Sequence, residues 1–260
     1  MSIAPPSRQN SAGRIENIVI RGDGVANHSA LDGWAETFEV PAEITGLERH
    51  NEVAKLLAAL THEIRLMDRQ LKEANVPEHL RKPFVEQLGQ AASVSNLGNQ
   101  WHNIRTNHLG AEVRLSLRWF KHVLPDEVLS ATAEDLAELE ALLAELEEKI
   151  AVDGIPRLLS AFVHKQIAAI RDALRQYPIG GPVALKRATR AMVADMHLDE
   201  DEIRHAAQAG DPAAVAAAGS TLKKAWDKAV KVAGDVEKFG KAGQVLVDFG
   251  AAIAKALPSS

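Results

Sequence analysis

Residues 222–257 read LKKAWDKAVKVAGDVEKFGKAGQVLVDFGAAIAKAL, and their pattern decides the fold prediction. Apolar or small side chains recur there at alternating spacings of three and four residues, which places them along one side of a helix. The members of this seam are Leu222, Ala225, Ala229, Val232, Val236, Phe239, Gly243, Leu246, Gly250, Ile253 and Leu257. Four glycines interrupt the stretch, and each costs an exposed helix roughly 1 kcal/mol relative to alanine. We therefore expect this helix to be stable only against a partner surface, either protein or membrane.

Three roles for this segment remain open from its sequence. It could be a structural helix docked on the rest of the chain, with its lysines facing an acidic helix and with Gly243 and Gly250 allowing close backbone approach. It could also mediate self-association. Its lysine-rich first half and Gly/Ala/Val/Ile second half resemble amphipathic membrane-disrupting peptides in composition, which implies a membrane-active segment. The residues predicted to contact a partner or membrane are Trp226, Lys228, Lys231, Phe239, Leu246, Phe249 and Ile253.

The composition of the 260-residue chain is that of a soluble globular protein, with 46% hydrophobic and 25% charged residues. Aromatic residues are only 4%, so aliphatic side chains and alanine must build the core, and this favours helices. Cysteine is absent, which excludes disulfides, thiolate metal sites and a cysteine nucleophile. We expect a cytoplasmic protein with no cofactor and no metal.

The chain divides into five predicted regions around a helical body. Residues 1–13 are predicted to be a disordered leader, and residues 14–46 a small N-terminal cap. In that cap, Ile15 to Ile20 before Gly22-Asp23-Gly24, and residues 37–40 before Pro41, have the character of short strands. Residues 47–209 are predicted to form the body, residues 210–220 an alanine-rich hinge, and residues 221–260 the amphipathic C-terminal segment. The predicted fold is therefore an all-α, multi-helix antiparallel bundle with a small irregular or two-stranded N-terminal element.

Charge alternates in sign along the body and the C-terminal segment. Residues 132–153 are strongly acidic, whereas residues 157–190 and 222–257 are mainly basic. Thr132 and Asp135 form a capping-box pattern that predicts the start of the acidic helix. The predicted intramolecular acidic face consists of Glu134, Glu138, Glu145 and Glu148. We expect these blocks of opposite charge to pair within the molecule.

Arg157 and His164 suggest one enzymatic alternative. Their spacing resembles the Arg-x(4-6)-His motif of the helical HEPN ribonucleases, and the resemblance implies RNA cleavage by residues that two chains bring together. The chain departs from that pattern because Leu158 stands where a polar residue commonly follows the arginine.

The stretch 101–122 suggests a second alternative, a nucleic-acid-binding helical module. Basic and aromatic side chains are interleaved there, a combination that can neutralise phosphates and stack bases. The candidate contacts are Arg105, Arg114, Arg118 and Lys121. The same helix also has an apolar stripe, so an ordinary amphipathic helix explains the pattern equally well.

The leading functional prediction is a non-enzymatic interaction or effector protein. In this hypothesis the body holds the C-terminal segment, and release at the hinge lets that segment engage a membrane or a partner helix. A bacterial toxin-type or defence-type role is compatible with this behaviour. The expected partners are a protein, a second copy of the chain, or a membrane surface, with nucleic acid less favoured.

Overall fold

The computed structural model describes residues 10–127 and 131–234. These residues form eleven α-helices and one short 3-10 helix, and none of them lies in a strand. The predicted all-α class is confirmed. The chain divides into two compact units, Met1–Val128 with Pro178–Gly181, and Leu129–Tyr177 with Pro182–Ser260. The predicted body, residues 47–209, is shared between these units.

The first unit contains six α-helices around one apolar core. They are α1 Ser11–Asp23, α2 Ala30–Thr37, α3 Gly46–Glu73, α4 Glu78–Ala91, α5 Trp101–His108 and α6 Ala111–Val123, with a 3-10 helix at Val94–Asn96 before α5. The long helix α3 contributes the seam of apolar residues expected from its three- and four-residue spacing, including the buried Leu57, Met67 and Leu71. The indole of Trp101 lies directly on Gly33, where any side chain would collide with the ring.

The N-terminal cap is helical, so the prediction of short strands in residues 14–46 is wrong. Helix α1 begins after Asn10, whose side chain accepts a hydrogen bond from the Gly13 amide. Ile15, Ile18 and Val19 are all buried on one side of α1. The β-branched run that resembled a strand is thus the core-facing part of a helix, and tertiary burial outweighs its intrinsic preference.

The second unit contains five α-helices, except that the last three residues of the second of them, 178–180, belong to the first unit. They are α7 Ala133–Ile150, α8 Arg157–Gly180, α9 Pro182–Leu198, α10 Glu200–Gln208 and α11 Pro212–Ala233. The predicted capping box at the start of α7 is confirmed, because Thr132 accepts a hydrogen bond from the Asp135 amide and the Asp135 carboxylate accepts one from the Thr132 amide. Leu139, Leu143 and Leu146 of α7 are fully buried in the core of this unit.

Residues 212–220 belong to a continuous helix, which differs from the predicted hinge at 210–220. The Asp211 side chain caps α11 by accepting a hydrogen bond from the Ala214 amide, and Pro212 occupies the first turn. Alanine has the best helix propensity, so the alanine-rich stretch continues the helix. Helix α11 ends at Gly234, which has a left-handed backbone (φ 68°) that glycine adopts without steric cost.

Candidate functional site

Helix α11, the described part of the predicted C-terminal segment, packs on α7 and α9. Trp226 is 1% exposed and lies in the core of the second unit. Further buried residues of α11 are Val215, Ala218, Thr221, Leu222, Ala225, Ala229, Val230, Val232 and Ala233. The face expected to need a partner surface is therefore covered, as far as Ala233, by the chain's own helices.

Lys228 forms the main ionic contact between α11 and α7. Its ammonium lies 2.7 Å from Asp135 Oδ1 and also donates to Glu138. The Lys228 side chain is only 10% exposed, so these charges interact with less solvent screening than a surface pair. The hydrogen bond from Lys228, with the bond from the Thr132 amide, lowers the pKa of Asp135 to about 2. The same contacts, first with Asp135 and then with Glu138, raise the pKa of Lys228.

A second polar contact joins the two helices further along. Lys149 Nζ lies 2.5 Å from Glu145 Oε1 and donates to Thr221 Oγ1 at 2.7 Å. The Thr221 hydroxyl in turn donates to Glu145 Oε1 at 3.2 Å. The hydrogen bond from Lys149 lowers the pKa of Glu145. Because Thr221 is fully buried, this network satisfies a hydroxyl that would otherwise be costly to bury.

The four glutamates of the predicted acidic face have two different environments. Glu138 and Glu145 take part in the interface with α11, whereas Glu134 and Glu148 are exposed. Asp135, which was predicted only as a helix cap, is one of the two carboxylates that contact Lys228. The acidic helix therefore carries one set of acids directed at α11 and another directed at solvent.

The residues predicted to contact a partner or membrane have different environments. Trp226 is in the core and Lys228 is held by two carboxylates, so neither is available at the surface while α11 is in place. Lys231 is 70% exposed, with its ammonium 3.9 Å from Asp135 Oδ1. The remaining predicted contacts, Phe239, Leu246, Phe249 and Ile253, lie outside the described residues.

The basic residues of the nucleic-acid alternative contact other parts of the first unit. Arg114 pairs with Asp23 of α1, and Arg118 and Lys121 both pair with Glu16, at 3.2 and 3.1 Å. These charges are partly neutralised by α1, which weakens their use as a phosphate-binding row.

Arg105 also donates hydrogen bonds to other residues of the first unit. Its guanidinium donates to the carbonyl oxygens of Asp23 and Val25 at 2.8 and 3.3 Å, and to the Asn27 side chain at 2.9 Å. Arg105 therefore holds the segment after α1, and the four basic candidates do not form one open binding surface.

The pair expected for the ribonuclease alternative lies on α8. Arg157 and His164 are both exposed. Their seven-residue separation places them on the same side of the helix, two turns apart.

The first unit also contains a buried ionic cluster that was not predicted from the sequence. The Arg14 guanidinium donates to Glu63 through Nε at 3.1 Å and to Glu127 through Nη1 and Nη2 at 2.6 and 2.8 Å. Arg14 and Glu63 are 5% and 1% exposed. Burial raises the pKa of Glu63, and the Arg14 charge opposes that rise. The signal available in the sequence was the position of Glu63 within the apolar seam of α3, three residues after Leu60 and four before Met67.

The described residues contain no group of three or more His, Cys, Asp or Glu side chains that could hold a metal ion. A shallow cavity of about 360 Å³ in the first unit is lined by His28, Asp32, Glu36 and Arg49, with Val40 and Ala42. Within the same residues, no helix combines the length and the apolar character required to cross a bilayer. Comparison with known protein families, with characterised proteins and with solved structures finds no match to this chain.

Proposed function

We propose that this protein is a non-enzymatic interaction protein in which residues 235–260 engage a membrane surface or a partner helix. The second unit serves as the anchor for that segment. A cytoplasmic location, and association with a membrane when the segment is released, belong to the same proposal. An effector role of the toxin or defence type would use this segment as its active part.

The observation that carries the proposal is the anchoring of α11 together with its end at Gly234. Trp226 is in the core, and Lys228 is held between Asp135 and Glu138. Removing a buried tryptophan side chain from a core costs about 3–5 kcal/mol. Detaching α11 would expose Trp226 and nine other buried side chains, so release at residues 210–220 would unfold much of the unit. We therefore assign the proposed partner-binding role to the residues after Gly234.

The sequence after Gly234 supports this role. Val236, Phe239, Leu246, Ile253 and Leu257 continue the apolar seam, and Lys238 and Lys241 precede its most apolar part. Such a distribution suits a helix that lies in the interface of a bilayer or along an apolar partner. The acids Asp235, Glu237 and Asp248 reduce its attraction to anionic lipid, which favours binding that depends mainly on apolar burial.

Vesicle leakage tests the proposal with three proteins: the full chain, a chain ending at Gly234 and the peptide 235–260. We expect the peptide to release a trapped dye from vesicles containing anionic lipid, and the chain ending at Gly234 to be inert. The matched control is the peptide with Leu246→Asp and Ile253→Asp, which keeps the length and removes the apolar face. An inactive wild-type peptide would remove the membrane as target. If the full chain and the chain ending at Gly234 also showed the same self-association, the proposal as a whole would fail.

A further inference from the structure

The turn between α8 and α9, Pro178–Gly181, is part of the first unit. Ile179 is 2% exposed and belongs to the apolar core of that unit. Among the residues that the structure describes, every other buried member of this core lies between Ala12 and Leu124 in the sequence. A single apolar side chain therefore anchors the turn in the core.

The end of the turn lies against the ionic cluster of Arg14, Glu63 and Glu127. Gly181 is buried and has a left-handed backbone (φ 57°). A β-carbon on Gly181 would lie 2.8 Å from Nη1 of Arg14. It would also lie 3.4 Å from Oε2 of Glu127, the atom to which this Nη1 donates a hydrogen bond. The backbone of Gly181 therefore packs directly on the ion pair between Arg14 and Glu127.

Local structure stabilises this turn only weakly. Pro178 lies in the last turn of α8, where it lacks the amide that would donate a helical hydrogen bond. Gly180 and Gly181 follow, and glycine loses more backbone entropy on ordering than any other residue. The order of the four residues therefore depends on their contacts with the core and with the ionic cluster.

Two opposing contributions to the free energy act when the turn closes over the cluster. Burial of Ile179 favours the closed turn, because it removes an apolar side chain from water. Burial of the ion pair opposes it, because Arg14 and Glu127 lose water and their mutual attraction restores only part of that loss. When the turn lifts, hydration of these charges offsets part of the lost burial of Ile179. Opening of the turn therefore requires much less free energy than unfolding of the unit.

We propose that Pro178–Gly181 is a strap that opens and closes over the Arg14 cluster while the rest of the first unit stays folded. In the closed state, Ile179 lies in the core and Gly181 lies on Arg14. In the open state, Ile179 and the pair of Arg14 with Glu127 are exposed to solvent, and the connection between α8 and α9 is free to move. The ionic cluster sets the population of the open state. The strap is independent of residues 235–260, to which the proposed function belongs.

Thiol labelling of single cysteines measures the opening, because the natural chain contains no cysteine. In the full chain, Ile179→Cys places a thiol in the strap. Met67→Cys is the matched control, because Met67 is fully buried in α3 and belongs to the same core. A reagent reaches a buried thiol only when its site opens, so the labelling rate follows the population of the open state. We expect labelling at position 179 to be at least about tenfold faster than at position 67, because local opening precedes global unfolding.

Apolar replacement of the cluster tests the role of its charges. Arg14→Met with Glu63→Met, added to the chain with Ile179→Cys, removes most of the desolvation cost of the closed state. We expect this double change to slow labelling at position 179 by at least about fivefold. The control is Lys82→Met with Glu78→Met, which removes an exposed ion pair of α4 and should leave the rate unchanged.

Far-ultraviolet circular dichroism, and labelling of Met67→Cys in the same backgrounds, verify that the first unit is folded. Equal labelling rates at positions 179 and 67 would mean that the turn opens only when the whole unit unfolds, and would overturn the strap. Rapid labelling at position 179 that the apolar cluster leaves unchanged or accelerates would overturn the role of the cluster. If the apolar cluster prevents folding, the comparison of the two single cysteines beside the natural cluster decides the proposal.

Discussion

Replacing Trp226 by alanine should strongly destabilise the second unit. The side chain is 1% exposed, and its loss removes both the transfer free energy of a large aromatic group and its packing contacts. Comparable substitutions cost about 3–5 kcal/mol in the free energy of unfolding. A typical domain is stable by only about 5–15 kcal/mol, so this change should leave the second unit marginally folded.

Trp119→Ala is the matched control, because it removes the same side chain from a position that is 48% exposed in the first unit. We expect it to cost about 1 kcal/mol or less. Urea unfolding followed by far-ultraviolet circular dichroism measures both variants. Since the chain has two compact units, amide hydrogen exchange of peptides from α7 and α3 assigns the loss of stability to one unit.

Equal, small effects of Trp226→Ala and Trp119→Ala on the free energy of unfolding would contradict this prediction. An increase in amide exchange in α3 rather than in α7 would contradict it as well. Either result would mean that Trp226 is not part of the second core, and that α11 is free to act as the membrane-binding helix expected from the sequence.

Three further predictions concern the ionic contacts. Lys228→Met should lower the free energy of unfolding by about 1–2 kcal/mol, because it removes the charged hydrogen bonds that Lys228 donates to Asp135 and Glu138. Lys223→Met is the control: it breaks an exposed ion pair within α11 and should cost about 0.3–0.5 kcal/mol. Equal losses of the two variants in urea unfolding would contradict the role of Lys228. The pKa of Asp135 is lowered from 3.8 to about 2 in the folded state, so its contribution to stability is complete above pH 4 and is lost as the pH falls towards 2. In thermal unfolding, Asp135→Asn should reduce the loss of stability between pH 4 and pH 2. An unchanged loss would mean that other carboxylates cause it. Arg14→Met should cost about 3–5 kcal/mol at pH 8, because it leaves Glu63 buried without its cation. Burial raises the pKa of Glu63, so part of this loss should be regained as the pH is lowered and protonation removes the charge. A loss independent of pH would rule out the charge of Glu63 as its cause.

Features set by local sequence were the ones that could be predicted. The seam of α3 and the Thr132–Asp135 capping box depend on spacing and on short-range hydrogen bonds, and the structure has both. The charge pattern also predicted that lysines of the C-terminal segment could meet an acidic helix, and Lys228 lies between two acids of α7.

Features set by tertiary contacts escaped prediction. The run Ile18 to Ile20 has strand propensity, and the burial of Ile18 and Val19 on the side of α1 that packs on α3 and α6 explains why it is helical. The alanine-rich stretch after Pro212 resembled a hinge because alanines alone give no strong amphipathic signal, yet Ala218 is buried in the second core. The pairing of Arg14 with Glu63 joins residues 49 positions apart, and a single sequence carries no direct record of such a contact.

The Asp135 carboxylate completes the capping box of α7 and also accepts a hydrogen bond from Lys228, which lies 93 residues further along the chain. Formation of the first turn of α7 and packing of α11 on α7 are therefore thermodynamically coupled, because each lowers the free-energy cost of the other. In an isolated peptide, α7 should fray at its first turn. Strengthening that turn alone should make α11 bind more tightly, even though no atom at their interface has been altered.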